Sequence, residues 1–215
     1  MNPPRVALRG RLPDVTEPLV VPWRDVVAEM SEQGWTKIPE ALTTAVIDQV
    51  REDDRRQWRL LGDEGGVQQH AFGSYLPFDE TLPAVRALGD RLVADLSDAA
   101  LRLGLPALPR FNEVTWGRYP AGTGRISAHQ DPAEYGGVIA VFTLQGQALF
   151  RILDGQGTAA EWQTGPGQLA LLRGAGWPRP DSRCPVHEVM PPQVGDRTIM
   201  TFRHNLGGAG AGYVV

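Results

Sequence analysis

An α+β chain, helical in its first half and mainly β in its second, is the architecture this sequence predicts. Two observations carry that reading. Of the 25 glycines, seven fall in residues 1–103 and eighteen in 104–215, so turns crowd the second half. The apolar spacing also changes near Phe111, from every third or fourth residue to short alternating runs, which is a change from helical to strand periodicity. A length of 215 residues with no break in composition fits one domain spanning 1–215. Within it, residues 1–110 read as mainly helical support, 111–205 as the β core and 206–215 as a flexible tail.

The elements follow in order. Arg24–Gln33 reads as a short helix stopped by Gly34, at the position where a left-handed residue ends a helix. Trp35–Ile38 reads as a strand ending at Pro39, and Ala41 to Trp58 as a second helix with Leu42, Val46 and Val50 four apart. Leu61–Pro77, with Gly62, Gly65, Gly66 and Gly73, reads as loop or hairpin. The strongest helix is Leu82–Leu103, where Leu82, Val85, Leu88, Leu92, Leu96 and Leu103 form one stripe and Gly104 follows as the stop. Five short β segments come next: Asn112–Tyr119, Val138–Leu144, Ala148–Leu153, Gln168–Leu172 and Thr198–His204. Such spacing suits an antiparallel sandwich or barrel.

Composition excludes several classes of function. A hydrophobic fraction of 42% supports a real core, so a disordered chain is excluded. No apolar run is long enough for a transmembrane helix, and the start MNPPRVALRGRLPD lacks the apolar stretch of a secretory signal. Cys184 is the single cysteine, which rules out an internal disulfide framework and multi-cysteine metal sites. A cytoplasmic location is the expectation from these features. The net charge is -4, and Lys37 is the single lysine among 21 basic residues, so a broad phosphate-gripping surface is disfavoured.

Four histidines exist, His70, His129, His187 and His204. His129-Gln130-Asp131 is a His-x-Asp between two predicted strands, and His187 and Arg197 follow downstream. In an extended segment residues i and i+2 share a face, so His129 and Asp131 can chelate one ion. Two imidazoles and a carboxylate occupy one face of an octahedral metal and leave three positions open, an arrangement suited to Fe(II) and O2. The triplet alone is a weak signal, and a histidine bonded to a carboxylate is the bland alternative. His70 and His204 read as structural or exposed, and Cys184, with no base beside it, reads as a poor nucleophile.

Phe111–Phe150, FNEVTWGRYPAGTGRISAHQDPAEYGGVIAVFTLQGQALF, resembles the core of the AlkB-like branch of the Fe(II)/2-oxoglutarate dioxygenases. GPGQLALLRG (Gly165–Gly174) and GDRTIMTFRHN (Gly195–Asn205) resemble the same branch's later strands, in the same order. The resemblance implies a double-stranded β-helix (a jelly-roll, cupin-like) with N-terminal supporting helices. It implies iron ligands His129, Asp131 and His187, with Fe(II), 2-oxoglutarate and O2 as cofactors. Arg197 would hold the distal carboxylate of 2-oxoglutarate, with Arg203 and Tyr119 near one or other of its carboxylates; a guanidinium fork fits a carboxylate bidentately. The chain departs from the branch at Ile199 and Gly117, where Asn is frequent, and in the spacing from Tyr119 to His129. With Asp131 present, halogenation is disfavoured, because the halogenases of this superfamily carry Ala or Gly there.

The implied reaction is hydroxylation of an unactivated C–H, or a desaturation, cyclisation or demethylation built on it, with release of succinate and CO2. A small-molecule or amino-acid-derived substrate is favoured over an alkylated nucleobase, since base repair needs a flipped-base pocket and basic residues on the phosphates. A non-catalytic jelly-roll that binds a ligand is the third reading. Trp177 and Arg179, in the Pro-rich loop before His187, and Glu134 and Tyr135, just past Asp131, are the candidates for substrate contact, with a packed Trp177 anchoring its loop as the equal alternative and the same ambiguity at Glu134 and Tyr135. The sequence points to no membrane and no obligate protein partner.

Overall fold

The computed structural model describes residues 21–51, 58–177 and 184–208. Helix α1 (Trp23–Gln33) closes on Gly34 at φ 91°, whose N–H reaches the Met30 carbonyl at 2.9 Å. Strand β1 (Trp35–Ile38) follows as expected. Helix α2 covers Thr44–Arg51, starting later than the sequence suggested. Its start is late because the Leu42 N–H is bonded to the Gly167 carbonyl at 3.0 Å, which holds Ala41–Leu42 out of helical geometry. Residues 52–57 lie outside the described residues, and Trp58 is not helical.

Leu61–Pro77 resolves into most of a hairpin, β2 (Arg59–Leu61) on β3 (Gln69–Pro77). Helix α3 (Pro83–Arg102) begins on Pro83, where a missing N–H costs nothing. It buries Val85, Leu88, Leu92 and Leu96, the stripe read from the sequence. The remaining strands are β4 (Glu113–Tyr119), β5 (Arg125–His129), β6 (Tyr135–Gln145), β7 (Leu149–Asp154), β8 (Gly157–Gln163), β9 (Leu169–Arg173), β10 (Val186–Val189) and β11 (Arg197–Asn205).

These strands pair antiparallel in the order β1-β9-β6-β11-β4-β3-β5-β10-β7-β8, with β2 on β3. β3 belongs to both halves of the curl: residues 72–77 pair with β4 and residues 69–70 with β5. The result is a half-barrel of the jelly-roll type. The first half of the chain is therefore not only support, since β1 and β3 are sheet members within the supposedly helical 1–110.

Side-chain alternation assigns the two faces of the larger half. Val114 and Trp116 of β4, Val138, Ala140 and Phe142 of β6, Leu169 and Leu171 of β9, and Met200 and Phe202 of β11 point outward into a cluster with α1 and α3. Their neighbours in sequence point into the curl. Those are apolar along Ile139, Ala170 and Leu172, and polar along Glu113, Thr115, Thr143, Arg197 and Thr201, all buried. Five inward polar residues, none more than 7% exposed, require a polar purpose, because buried polar groups are costly without partners.

The turn after β6 brings the backbone hard against the start of β11. Gly146 has φ +70°, and a Cβ there would lie 2.3 Å from the Asp196 carbonyl oxygen and 2.9 Å from the Arg197 Cα. G146A is expected to lower stability by about 2 kcal/mol or more, from a left-handed residue plus a backbone clash. Denaturant unfolding measures it.

Candidate metal centre

Two short strands of the smaller half supply the histidines. His129, the last residue of β5, lies directly opposite His187 on β10, with ring centroids 4.3 Å apart. Each ring is held the same way. His129 Nδ1 donates to the Ser127 carbonyl at 2.8 Å and His187 Nδ1 to the Pro185 carbonyl at 3.1 Å. A carbonyl can only accept, so each ring carries a proton on Nδ1 and keeps Nε2 as the nitrogen its neutral form offers a metal. Asp131, two residues past His129, places Oδ2 3.7 Å from His187 Nε2. One ligand atom from each of the three lies within 4.8 Å of the others, a spacing that a single ion can bridge.

The electrostatics suit metal binding. Burial lowers the His187 pKa below its ordinary value; the Asp131 carboxylate opposes this and His129 adds to it. A neutral imidazole is the form that binds metal. The sign for stability follows from the same shift. Below the ordinary histidine range the unfolded chain takes up a proton that folded His187 refuses. Metal-free protein is therefore expected to lose up to about 1.4 kcal/mol of stability per pH unit as pH falls through that range. H187Q should remove most of that slope in denaturant melts from pH 7 to 5.

Arg197 lies on β11 opposite Tyr119 on β4, with its guanidinium 5.6 Å from the ring centroid. It is 1% exposed. Nη2 donates to Thr143 Oγ1 at 3.2 Å, while Nε has no hydrogen-bond partner. Among the described residues no carboxylate forms an ion pair with it, and burial pulls its pKa down to about 10. A fixed charge in this state is short of an anion.

Arg203 points to the opposite end, at the triad of His129, Asp131 and His187. Its Nη2 is 4.0 Å from Asp131 Oδ1, its Nη1 3.7 Å from Glu113 Oε1 and 3.3 Å from Thr115 Oγ1, and it covers the Tyr135 ring at 4.5 Å. Among the described residues this part of the interior thus holds two basic side chains, Arg197 and Arg203, and two acidic ones, Asp131 and Glu113. A dication at the triad leaves an excess of two positive charges, which a dianion such as 2-oxoglutarate balances. Fe(II) and this dicarboxylate both fit the donor set present.

The other candidates fare differently. Tyr135 is buried under Arg203 and belongs to the site's wall, whereas Glu134 is exposed. Trp177, which the sequence offers either as a substrate contact or as a packed anchor, is 2% exposed and packs in the cluster beneath the helices, so it is a core residue. Arg179 lies outside the described residues. His70 meets the Thr123 carbonyl and His204 the Arg110 carbonyl, both far from the triad in role. Burial, and the nearby Asp131 carboxylate, push the Cys184 thiol up to about 12, so it stays protonated.

Sequence reasoning missed Glu113 and Thr143. Alternation along β4 was the available signal, since Glu113, Thr115, Gly117 and Tyr119 share the face that Tyr119 occupies.

No family model matches this sequence, and no curated protein does. Solved structures share its fold. A prolyl-4-hydroxylase from Pseudomonas putida superposes at a TM-score of 0.60 with 19% identity, over 85% of this chain and 98% of that one. An oxidoreductase of the 2OG-Fe(II) oxygenase family from Burkholderia pseudomallei gives 0.61 with 16% identity, over 88% and 94%. OsALKBH1 gives 0.56 with 17% identity, over 80% and 98%. The fold is that of the 2OG-Fe(II) oxygenases, with AlkB-like and prolyl-hydroxylase structures both among its neighbours.

Proposed function

We propose that this chain is a non-haem Fe(II)- and 2-oxoglutarate-dependent dioxygenase that hydroxylates an unactivated C–H of a small, amino-acid-derived substrate. The observation that carries the proposal is the pairing, inside one half-barrel, of His129, Asp131 and His187 with the buried, anion-deficient Arg197. His129 and His187 would hold the metal through Nε2 and Asp131 through its carboxylate. Arg197 and Thr143 would grip the distal carboxylate of 2-oxoglutarate, and Tyr119 would lie beside it. Iron bound with 2-oxoglutarate supplies oxidative decarboxylation by O2, giving succinate and CO2 and oxidising the substrate. The chain's own part is to fix three ligands and leave the other positions open, to orient the dicarboxylate, and to exclude water with the wall of Ala71, Tyr119 and Ile199.

The substrate class rests on the acidic net charge, the single lysine, and prolyl hydroxylases among the structures of like fold. No helix among the described residues is long and apolar enough to cross a membrane. The presence of OsALKBH1 in the same set supports a second reading, oxidative demethylation of alkylated nucleobases. The test is O2-dependent succinate formation with amino acids and short peptides against methylated oligonucleotides, at two salt concentrations. Turnover on amino-acid substrates, indifferent to salt, supports the first reading. Oligonucleotide turnover that weakens steeply with salt would replace it with the second.

A further inference from the structure

We propose that Glu113 is a positioning residue for the metal: it holds Arg203 back from Asp131 and so keeps the Asp131 carboxylate available as a ligand. The inference rests on a metal being bound at His129, Asp131 and His187.

Glu113 is fully buried, at 0% exposure. It faces Arg203 directly across the β4–β11 ladder, a cross-strand pair set by the register. One oxygen, Oε2, accepts from Asn205 Nδ2 at 3.1 Å. Asn205 is itself fixed by Asn112, whose Nδ2 donates to the Asn205 carbonyl and whose Oδ1 accepts the Asn205 N–H. The Glu113 carboxylate is therefore pinned at one oxygen. The other, Oε1, has no hydrogen bond and lies 3.7 Å from Arg203 Nη1.

Arg203 is in turn 4.0 Å from Asp131 Oδ1, while Asp131 Oδ2 faces His187. The guanidinium is shared between two carboxylates, one structural and one ligating. Burying a carboxylate costs several kcal/mol per ion, and an apolar residue of similar size would stabilise the fold at least as well. What an apolar residue could not do is divide the pull of Arg203. Without Glu113 the full charge of Arg203 falls on Asp131, which would close a bidentate ion pair and compete with the metal for that carboxylate. Partners of this kind behind metal ligands commonly change metal affinity by 10–100-fold.

E113Q keeps the shape and the Asn205 bond and removes the charge; E113D keeps the charge one methylene further back. Apo-protein, wild type and both variants, is titrated with Mn(II) alone by EPR, and then with 2-oxoglutarate at saturating Mn(II). The expected result is a Mn(II) Kd raised roughly tenfold in E113Q and less in E113D. The dicarboxylate, which meets one more net positive charge in E113Q, is held no more weakly than by wild type. That opposition separates positioning from damage, which would weaken both. An E113Q Kd for Mn(II) within twofold of wild type, or parallel loss of both ligands, overturns the proposal. If E113Q does not fold, E113D decides alone, and an unchanged Mn(II) Kd overturns it. Wild type failing to bind Mn(II) overturns instead the metal reading on which the proposal stands.

Discussion

R197M is expected to make the ligand-free protein more stable and to abolish 2-oxoglutarate binding. Arg197 is charged, 1% exposed and without a carboxylate partner among the described residues. The fall of its pKa to about 10 corresponds to roughly 3 kcal/mol of unfavourable burial. The sign is simple. A cation whose pKa drops on folding destabilises the fold at every pH below about 10, and the penalty is relieved only as pH rises past that value. Neutral pH therefore carries the whole cost. Methionine has similar length and no charge, and replacing a poorly paired buried ion with an apolar side chain is often stabilising by about 1–4 kcal/mol. At roughly 2–4 °C per kcal/mol for a chain of this size, a melting-point increase of several degrees should be measurable by calorimetry. Metal-loaded wild type should gain further stability with added 2-oxoglutarate, and metal-loaded R197M should not.

The second large effect is on the metal. D131N is isosteric and removes the one carboxylate of the proposed ligand set, leaving two imidazoles. Metal affinity is expected to fall by about two orders of magnitude, at the upper end of what changes around metal ligands produce, since the altered group is a ligand itself. The fold should survive, because Arg203 retains Glu113 as a counter-charge at 3.7 Å. Titration with Mn(II), alongside circular dichroism, checks both halves of this expectation. Loss of folding in D131N would mean that Asp131 is a structural partner of Arg203 first.

Legibility in the sequence followed burial. The strands of the larger half, buried on both faces, were visible as apolar runs: Val138–Leu144 and Gln168–Leu172 fall within or close to β6 and β9. β5, β8 and β10 were missed for a common reason. All three sit in the smaller half, where β8 has one buried residue among seven and β5 none among five, and β10 has only four residues, so no apolar alternation marks them. The His-x-Asp and the distant His187 were nevertheless readable, because ligand type and order survive where strand pattern does not. The fixing of both rings through carbonyls two residues upstream was not readable, since it depends on backbone conformation at Ser127 and Pro185. Trp177 stays open between substrate contact and packed anchor in the sequence, because local composition reports a loop and says nothing of where its aromatic side chain is buried.

One half-barrel is proposed to bind Fe(II) and 2-oxoglutarate together through His129, Asp131, His187 and Arg197. Anaerobic addition of Fe(II) and 2-oxoglutarate to the apo-protein tests it most directly, by the weak visible charge-transfer band of the chelate. A band that appears with wild type and is lost in both H187A and R197M is the predicted result. A folded wild-type protein that gives no band contradicts the account and leaves a jelly-roll that binds a ligand without turnover.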